Sequence, residues 1–255
     1  MIFESHAHYD DEAFDEDRES LLLSLRERGI GTVINIGASL SGSEASVKLA
    51  EQYSFIYAAV GVHPSEIGEL NEESFARLRA LCSHPKVVAV GETGLDYHYS
   101  EPEAALQKEW FEKQLLLARE VKRPVIIHSR EAAKDTLDIM QALRAEEIGG
   151  VVHCFSYAKE MAREYLNMDF YFGIGGVITF KNAKKLKEAV AYLPMEKILL
   201  ETDSPYLAPE PHRGERNSSL NLSFVAEAIA ELKGVSCEEV VRVTEENAKR
   251  LFGVK

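Results

Sequence analysis

The chain has 255 residues, 45% of them hydrophobic, and a formal net charge of −13 at pH 7. This length and hydrophobic content allow one large buried core, whereas the negative charge argues against a long basic groove, so a nucleic acid must be bound at a local positive site. The acidic amino terminus does not fit a secretory signal peptide, and no apolar run approaches the roughly 18 residues of a membrane span. We therefore predict a cytoplasmic protein with no membrane partner, and no obligate protein partner is evident.

Short apolar runs rich in β-branched residues alternate with amphipathic segments along the whole chain. The runs cover residues 2–4, 32–36, 55–60, 87–90, 125–127, 151–152, 170–172 and 198–200. The segments "FDEDRESLLLSLRERG" (14–29) and "EAALQKEWFEKQLLLAREVKRP" (103–124) have the apolar stripe and the end signals of helices. No linker or change in composition divides the repeated units. The pattern predicts an α/β protein with one (β/α)8 TIM barrel as a single domain over residues 1–255, in preference to two domains.

Ionisable side chains follow these runs at their carboxyl-terminal ends. His6 and His8 are two residues apart in an extended segment, so their imidazoles share one face. The others are His63 after the third run, Glu92 after the fourth, His128 after the fifth, His153 after the sixth and Asp203 after the eighth. This end of a (β/α)8 barrel carries the active site. Because several ionisable groups in one interior are costly without a cation, we predict a metal centre rather than isolated core histidines.

Four imidazoles and two carboxylates suit a pair of divalent ions. The candidate ligands are His6, His8, Glu92, His128, His153 and Asp203. Two ions roughly 3.5–4 Å apart lower the pKa of a bound water and steady the oxygens of an in-line displacement, and Glu92 has two oxygens with which to span them. Asp203 is the candidate base for the proton of that water, and the alternative is a helix N-cap. We expect two Mg²⁺, Mn²⁺ or Zn²⁺ ions per chain, and the histidines favour Mn²⁺ or Zn²⁺.

The segments around these positions carry a family resemblance. They are "SHAHYD", "GVHPSE", "GETGLDYH", "IIHSREA", "HCFS", "GIGGVITF", "LLETDSPYLAP", "PHRGERN" and "ENAKRLFG". The chain resembles the TatD family of metal-dependent hydrolases, a branch of the amidohydrolase superfamily, nearly end to end. The resemblance implies Mg²⁺-dependent deoxyribonuclease action, chiefly the removal of nucleotides from the 3′ end of single-stranded DNA.

The resemblance also implies roles for six residues. By resemblance, His6 and His8 bind the first ion, Glu92 bridges to the second, His128 and His153 complete the second site, and Asp203 lies beside the first ion and the attacking water. Two departures from the family pattern stand out: Glu4 replaces the commoner aspartate, and "RNSS" replaces the commoner "RNEP" in the last loop. We expect the first departure to alter how a ligand is oriented rather than whether it binds. The second leaves the substrate preference open.

Further residues are candidates for binding a substrate. His63 either donates a hydrogen bond to a phosphate oxygen or holds the loop before Pro64. Arg130 and Arg213 are candidate phosphate contacts, with a solvated arginine as an equal alternative for Arg213. Tyr206, like Tyr97, offers a stacking face for a base. An open cleft with arginines and aromatic rings along its rim favours single-stranded DNA ends as substrate. A narrow, closed site favours the alternative, a metal-dependent amide, ester or lactone hydrolase, and a binding module without catalysis is disfavoured because all six ligands are present.

Overall fold

A cylinder of parallel strands, described in a computed structural model over residues 1–254, organises the chain. The described strands are β1 (Ile2–Ala7), β2 (Ile30–Ile36), β3 (Ile56–Val60), β4 (Val87–Asp96), β5 (Val125–Arg130), β6 (Gly150–Val152), β7 (Tyr171–Ile174) and β8 (Ile198–Leu200). They pair in sequence order, each parallel to the next. The predicted (β/α)8 TIM barrel is confirmed, and each apolar run lies at a strand.

Helices connect the strands on the outside. They are α1 (Arg18–Glu27), α2 (Leu40–Gln52), α3 (Glu72–Leu81), α4 (Ala104–Val121), α5 (Ala133–Ala142), α6 (Lys159–Asn167), α7 (Lys184–Tyr192), α8 (Leu222–Lys233) and α9 (Cys237–Phe252). The two predicted helical segments correspond to α1 and α4. Helix α4 ends before Pro124, because Lys122 adopts a left-handed conformation with φ of 54°. Among the described residues, no helix is long and apolar enough to cross a membrane, and the cytoplasmic location stays a prediction.

The barrel closes between β1 and the segment that follows β8. The Ser5 hydroxyl donates to the Leu200 carbonyl at 2.9 Å, the Asp203 amide donates to the His6 carbonyl at 2.9 Å, and the His8 amide donates to the Ser204 carbonyl at 2.8 Å. These bonds extend the pairing beyond the last residue of β8. As a result, His6, His8 and Asp203 are fixed to one another by backbone hydrogen bonds.

Two apolar layers hold the cylinder together. Side chains such as Ile34, Ile126 and Leu199 fill its interior, while alternate strand residues pack outwards against the helices. Helix α9 lies at the amino-terminal end, where the ring of Phe252 stacks on that of Phe3 with centroids 6.1 Å apart. Apolar packing thus closes this end, and polar side chains gather at the other.

Candidate metal centre

The six predicted ligands converge at the carboxyl-terminal end of the barrel. His6 lies in β1, His8 just after it, His128 in β5, His153 directly after β6 and Asp203 three residues after β8. Glu92 and all of these residues except His6 line a cleft of about 740 Å³, and His6 is buried against Glu92 and Asp203 at its floor. The sequence pattern therefore picked out side chains that lie close together in the structure.

Glu92 lies within β4, not after the strand as the sequence suggested. The pairing of β4 with β5 shifts register between Val90 and Thr93, so that Glu92 occupies an irregularity in the ladder. Such bulges re-aim a side chain relative to the pleat. Strand β4 continues to Asp96 because Thr93, Gly94 and Asp96 pair with residues of β5.

The carboxylate of Glu92 divides the imidazoles into two groups. Its Oε2 lies 3.3 Å from His6 Nε2 and 3.8 Å from His8 Nε2. Its Oε1 lies 2.7 Å from His128 Nδ1 and 2.7 Å from His153 Nε2. Since only 3% of Glu92 is exposed, its two oxygens are held in place and face two separate sets of nitrogen donors.

Asp203 joins the first of these sets. Its Oδ1 lies 3.5 Å from His6 Nε2 and 3.4 Å from His8 Nε2. The alternative role as a helix cap is wrong, because the helical turn that follows begins only at Ser219. The backbone of Asp203 is left-handed, with φ of 58°. Such strain in a residue other than glycine is concentrated at functional sites.

Hydrogen bonds at the far side of two rings fix which nitrogen faces the centre. His8 Nδ1 lies 2.9 Å from the Ile36 carbonyl, and His128 Nε2 lies 3.1 Å from the Asp96 carboxylate. Because both partners only accept, these nitrogens carry the protons. In the neutral rings, His8 Nε2 and His128 Nδ1 therefore present lone pairs to the centre.

His63 differs from the other imidazoles. The Ser65 amide donates to His63 Nδ1 at 3.1 Å, so Nδ1 holds the lone pair. Burial lowers the pKa of His63 to about 4, so the neutral ring carries its proton on Nε2. That nitrogen faces the cleft, 3.8 Å from Glu92 Oε1. Both readings of the sequence thus have a structural basis: one nitrogen holds the loop and the other is a free donor.

The electrostatics of the floor favour positive charge. Burial opposes ionisation of Glu92, yet the charges of His153 and His6 hold its pKa well below the usual range. Burial likewise opposes a low pKa for Asp203, but the hydrogen bond with His8 lowers it. Against its burial, the pKa of His8 rises to about 9 because Asp203 faces it. Two carboxylates that stay charged in a buried setting provide the environment that a divalent cation needs.

The donor set fits such cations. His6 Nε2 and His8 Nε2 face each other at 3.2 Å, and so do His128 Nδ1 and His153 Nε2. Facing lone pairs repel unless a proton or a metal ion lies between them. Mixed imidazole and carboxylate donors are typical of Zn²⁺ and Mn²⁺ and also bind other divalent ions. Each set therefore has the composition of a metal site, with Glu92 shared between the two.

The rim of the cleft is mixed in charge. Arg130 lies there with its guanidinium 5.7 Å from the ring centroid of Tyr99, which is 60% exposed. Tyr206, 54% exposed, donates its hydroxyl to Asp11 at 2.9 Å. Asp10, Asp11 and Glu66 also line the cleft, so only a short part of the rim is positively charged.

Two candidates from the sequence have other contacts. Arg213 does not line the cleft and instead lies over the ring of Phe180, 4.3 Å from its centroid. Tyr97 is half-buried and donates its hydroxyl to Asp135 at 2.9 Å. Arg130 and Tyr206 remain the candidate substrate contacts at the rim, whereas the structure gives Arg213 no place in the cleft.

Sequence reasoning missed two acids beside the histidines. Asp96 bonds the outer nitrogen of His128, and Glu201 is buried behind His153, with its Oε1 3.6 Å from His153 Nδ1. Both lie within segments that the resemblance already singled out. The signal was available, because metal-binding histidines regularly donate their second nitrogen to a carboxylate.

The two departures from the family pattern meet in one buried network. Glu4 accepts hydrogen bonds from the His6 amide and from both the amide and the hydroxyl of Thr202. Burial raises the pKa of Glu4 to about 8, and the Ser219 hydroxyl acts in the opposite direction. Ser219, from the "RNSS" loop, also bonds the Tyr9 hydroxyl at 2.7 Å. Glu4 thus holds the backbone on both sides of the floor, in line with an effect on orientation.

Comparison with known proteins places the chain in a family. The TatD related DNase family matches residues 3–253. The chain is 43% identical over 254 residues, covering 100% of both chains, to the Bacillus subtilis (strain 168) protein named uncharacterized metal-dependent hydrolase YabD. It is 35% identical over 245 residues, 94% of this chain and 93% of the relative, to the Cronobacter sakazakii protein named 3′-5′ ssDNA/RNA exonuclease TatD.

A solved structure agrees with these relationships. The crystal structure of YJJV, a TatD homolog from Escherichia coli K12, superposes with a TM-score of 0.94 at 30% identity, covering 100% of this chain and 98% of that one. The relatives extend over the whole barrel, including every strand that contributes to the floor of the cleft. The chain belongs to the TatD related DNase family of metal-dependent hydrolases.

Proposed function

We propose that the chain is a binuclear metal-dependent phosphodiesterase that removes nucleotides from the 3′ end of single-stranded DNA, with residues 1–255 forming one catalytic barrel domain. The observation that carries the proposal is the position of Glu92, whose two oxygens face two separate sets of imidazoles on the floor of the cleft. The printed name of the Cronobacter relative supports the choice of substrate.

In this proposal the two ions would have distinct sets of ligands. His6, His8 and Asp203 would hold the first ion, His128 and His153 would hold the second, and Glu92 would be shared between them. When bound, such a pair polarises the scissile phosphoryl group and makes water a stronger nucleophile. The residues of the chain fix where these charges lie, because backbone bonds and acceptors behind the rings restrict the ligands.

Asp203 is the general base of the proposed reaction. Its side chain lines the cleft, and its low pKa keeps the carboxylate charged and ready to accept a proton at Oδ1. A carboxylate in contact with the attacking water has the geometry that general base catalysis requires. Glu92 is the second catalytic residue, since it positions both halves of the floor.

His63 and Arg130 bind the phosphate. His63 presents its Nε2 proton towards the floor of the cleft, where a phosphate oxygen accepts it. Arg130 projects from the end of β5 at the rim, and its planar guanidinium suits a phosphate oxygen pair. Both groups supply a donor without changing their own protonation.

The rim favours unpaired strand ends. Tyr99 and Tyr206 are exposed aromatic rings on which bases stack, a contact that a paired base cannot make. Positive charge is limited to the ions and Arg130, while Asp10, Asp11 and Glu66 repel further phosphates. We therefore expect only about two to four phosphates to be held, each contributing about 0.7 to the slope of log affinity against log salt.

The test compares one sequence as an end-labelled linear strand and as a closed circle. We expect metal-loaded protein to release the 3′ nucleotide of the linear strand and to leave the circle intact, with a shallow salt dependence of kcat/KM. Efficient cutting of the circle, or a salt slope that fits eight or more phosphates, would contradict the proposal. A panel of esters, amides and lactones runs in parallel, and faster turnover of any of these would favour a carbonyl substrate.

A further inference from the structure

A buried cluster lies behind the floor of the cleft, and it joins two of the proposed ligands to a carboxylate that has no role in the reaction proposed above. It consists of His6, His153 and Glu201, whose offered atoms lie within 4.8 Å of one another. The two imidazole rings stack with centroids 3.9 Å apart and planes within 13°. Each ring belongs to a different set of proposed ligands, so this cluster connects the two halves of the floor.

Each residue of the cluster has a buried polar atom that lacks a hydrogen-bond partner, and the cluster holds both donors and an acceptor. His6 Nδ1, His153 Nδ1 and Glu201 Oε2 are buried atoms without a hydrogen-bond partner. The other oxygen of Glu201, Oε1, accepts the Cys154 amide and lies 3.6 Å from His153 Nδ1. Buried polar atoms without partners are costly, and here both imidazoles are grouped with one carboxylate. Bringing His153 Nδ1 and Glu201 Oε1 from 3.6 Å to hydrogen-bond distance takes a shift of under about 1 Å.

The other two ligand rings show what this pairing does. His8 and His128 each have an acceptor behind the ring, which keeps the proton on the outer nitrogen and the lone pair towards the centre. Within the described residues, neither His6 Nδ1 nor His153 Nδ1 has a hydrogen-bond partner, and Glu201 is the carboxylate grouped with both rings. Glu201 is therefore placed to fix the tautomer of both rings.

We propose that Glu201 is a positioning residue that accepts the Nδ1 protons of His6 and His153 together, so that the two ions bind cooperatively. This inference rests on the proposed ligand roles of the two histidines. Ordering of one ring by its ion orders the shared carboxylate, and the carboxylate then holds the second ring in place. The backbone of β7 supports this role, because a Cβ at Gly173 would lie 1.9 Å from Glu201 Oε2.

The Glu201→Gln variant replaces one carboxylate oxygen by an NH₂ group and reverses the tautomer that one of the two rings prefers. With its oxygen bound to the Cys154 amide, the glutamine turns an NH₂ group towards the imidazoles, so one Nδ1 must become an acceptor. That ring then carries its proton on Nε2, where it blocks the lone pair. Gly173→Ala displaces the carboxylate without altering its chemistry. Gly175→Ala is the matched steric control, because its added Cβ would meet the backbone carbonyl of Glu201 at 3.3 Å and not the carboxylate.

The experiment titrates the full-length, chelator-treated protein with Zn²⁺ alone and follows binding by calorimetry, with ring ¹⁵N NMR reporting the tautomers. We expect the original chain to bind two ions cooperatively, and both Glu201→Gln and Gly173→Ala to weaken both ions about 10- to 100-fold and to abolish cooperativity. Asp96→Asn, which affects His128 alone, weakens only one ion. Glu201→Asp, which keeps the carboxylate, restores part of the affinity.

Three results would overturn the inference. They are unchanged affinities in Glu201→Gln, an effect confined to one ion as in Asp96→Asn, or a third ion in the original chain that is lost in Glu201→Gln. The readout is independent of substrate. Two cooperative ions in a chain with no nuclease activity would refute the proposed function and leave the role of Glu201 intact.

Discussion

The two ends of the barrel treat charged side chains in opposite ways. At the amino-terminal end, the partly buried Lys86 donates to the carbonyls of Ser54 and Ile56 at 2.8 and 2.9 Å, and its ammonium lies 4.4 Å from the ring centroid of Tyr57. At the carboxyl-terminal end, Glu92 faces imidazoles whose inner nitrogens also face one another. At the first end the chain itself supplies the partners of the charged group, whereas at the second end the facing nitrogens leave a place that suits a cation.

Lys197 repeats the arrangement of Lys86 before another strand. Its ammonium lies 2.7 Å from the Asp169 carboxylate, donates to the Asp169 carbonyl at 2.9 Å and lies 4.3 Å from the ring centroid of Tyr171. Each lysine has a complete set of partners, so we assign both a purely structural role. Buried polar atoms without hydrogen-bond partners, rather than buried charges as such, mark the functional end of this barrel.

Backbone conformation separates the two ends in the same way. Left-handed residues other than glycine at the amino-terminal end, such as Lys122, Arg144 and Asp169, come just after helices, where such a conformation is an ordinary way to end a helix. Those at the carboxyl-terminal end are Glu131, Cys154, Asp203 and Leu207. They follow strands and line or border the cleft, so their strain accompanies function.

The largest effect is expected from removing two imidazoles at the functional end. His6→Ala combined with His8→Ala deletes both nitrogen donors of the first proposed ion, so activity should fall at least about 10³-fold because several kcal/mol of charge stabilisation are lost. Metal analysis should show one ion fewer per chain, with an unchanged far-ultraviolet circular dichroism spectrum.

The matched control removes two imidazoles elsewhere, His84→Ala with His212→Ala. Their partners are Glu51 and Glu215, respectively, away from the floor of the cleft. This variant should keep its metal content and activity. Unchanged metal content in the His6 and His8 variant would contradict the assignment of the first site.

A smaller loss is expected for Asp203→Asn, which keeps the shape of the side chain and removes its basicity. If Asp203 takes the proton of the attacking water, kcat should fall by about 10² to 10⁴ while much of the metal remains bound. Steady-state kinetics and metal analysis on the same preparation separate these effects. Turnover near that of the original chain would remove Asp203 from the base role.

His63 provides a sharper test, since its two nitrogens have separate roles. His63→Ala removes the Nε2 donor and should lower kcat/KM by about 10²-fold. His63→Gln restores a donor at nearly the same place and should recover most of that loss. Metal content should be unchanged in both variants, and a lost ion would instead identify His63 as a ligand.

The smallest effect on activity is expected at the structural end. Lys86→Met and Lys197→Met keep the aliphatic stem and remove the ammonium, so each should lower the free energy of unfolding by about 1 to 3 kcal/mol. Neither should change kcat or metal content. Denaturant titration measures the free energy of unfolding and steady-state assays measure kcat. A catalytic defect without loss of stability would contradict the structural role assigned to these lysines.

The sequence predicted the barrel well because apolar runs and helical stripes depend on short-range periodicity. Six residues of the floor followed from one rule, that polar side chains at strand ends of a barrel converge. Only the position of Glu92 relative to its strand was predicted incorrectly, since a register shift within β4 leaves no recognisable pattern in the sequence. That irregularity depends on the neighbouring strand.

The positioning acids and the rim were harder to foresee. Asp96 and Glu201 become meaningful only when the outer nitrogens of specific rings point at them, which depends on side-chain direction in three dimensions. Arg213 was placed at the substrate on residue type alone, and the long loop after β8 instead directs it over Phe180. The conformation of this long loop is set by contacts such as the hydrogen bonds that the Asn217 amide group donates to the Thr202 and Tyr206 carbonyls.

The most direct test of the comparison between the two ends is anomalous diffraction from crystals loaded with Mn²⁺ or Zn²⁺. We expect two peaks at the carboxyl-terminal end, about 3.5–4 Å apart on either side of the Glu92 carboxylate. One peak should lie within bonding distance of His6 and His8, and the other within bonding distance of His128 and His153. A single peak, or ions that do not contact Glu92, would contradict the claim that this carboxylate unites two metal sites.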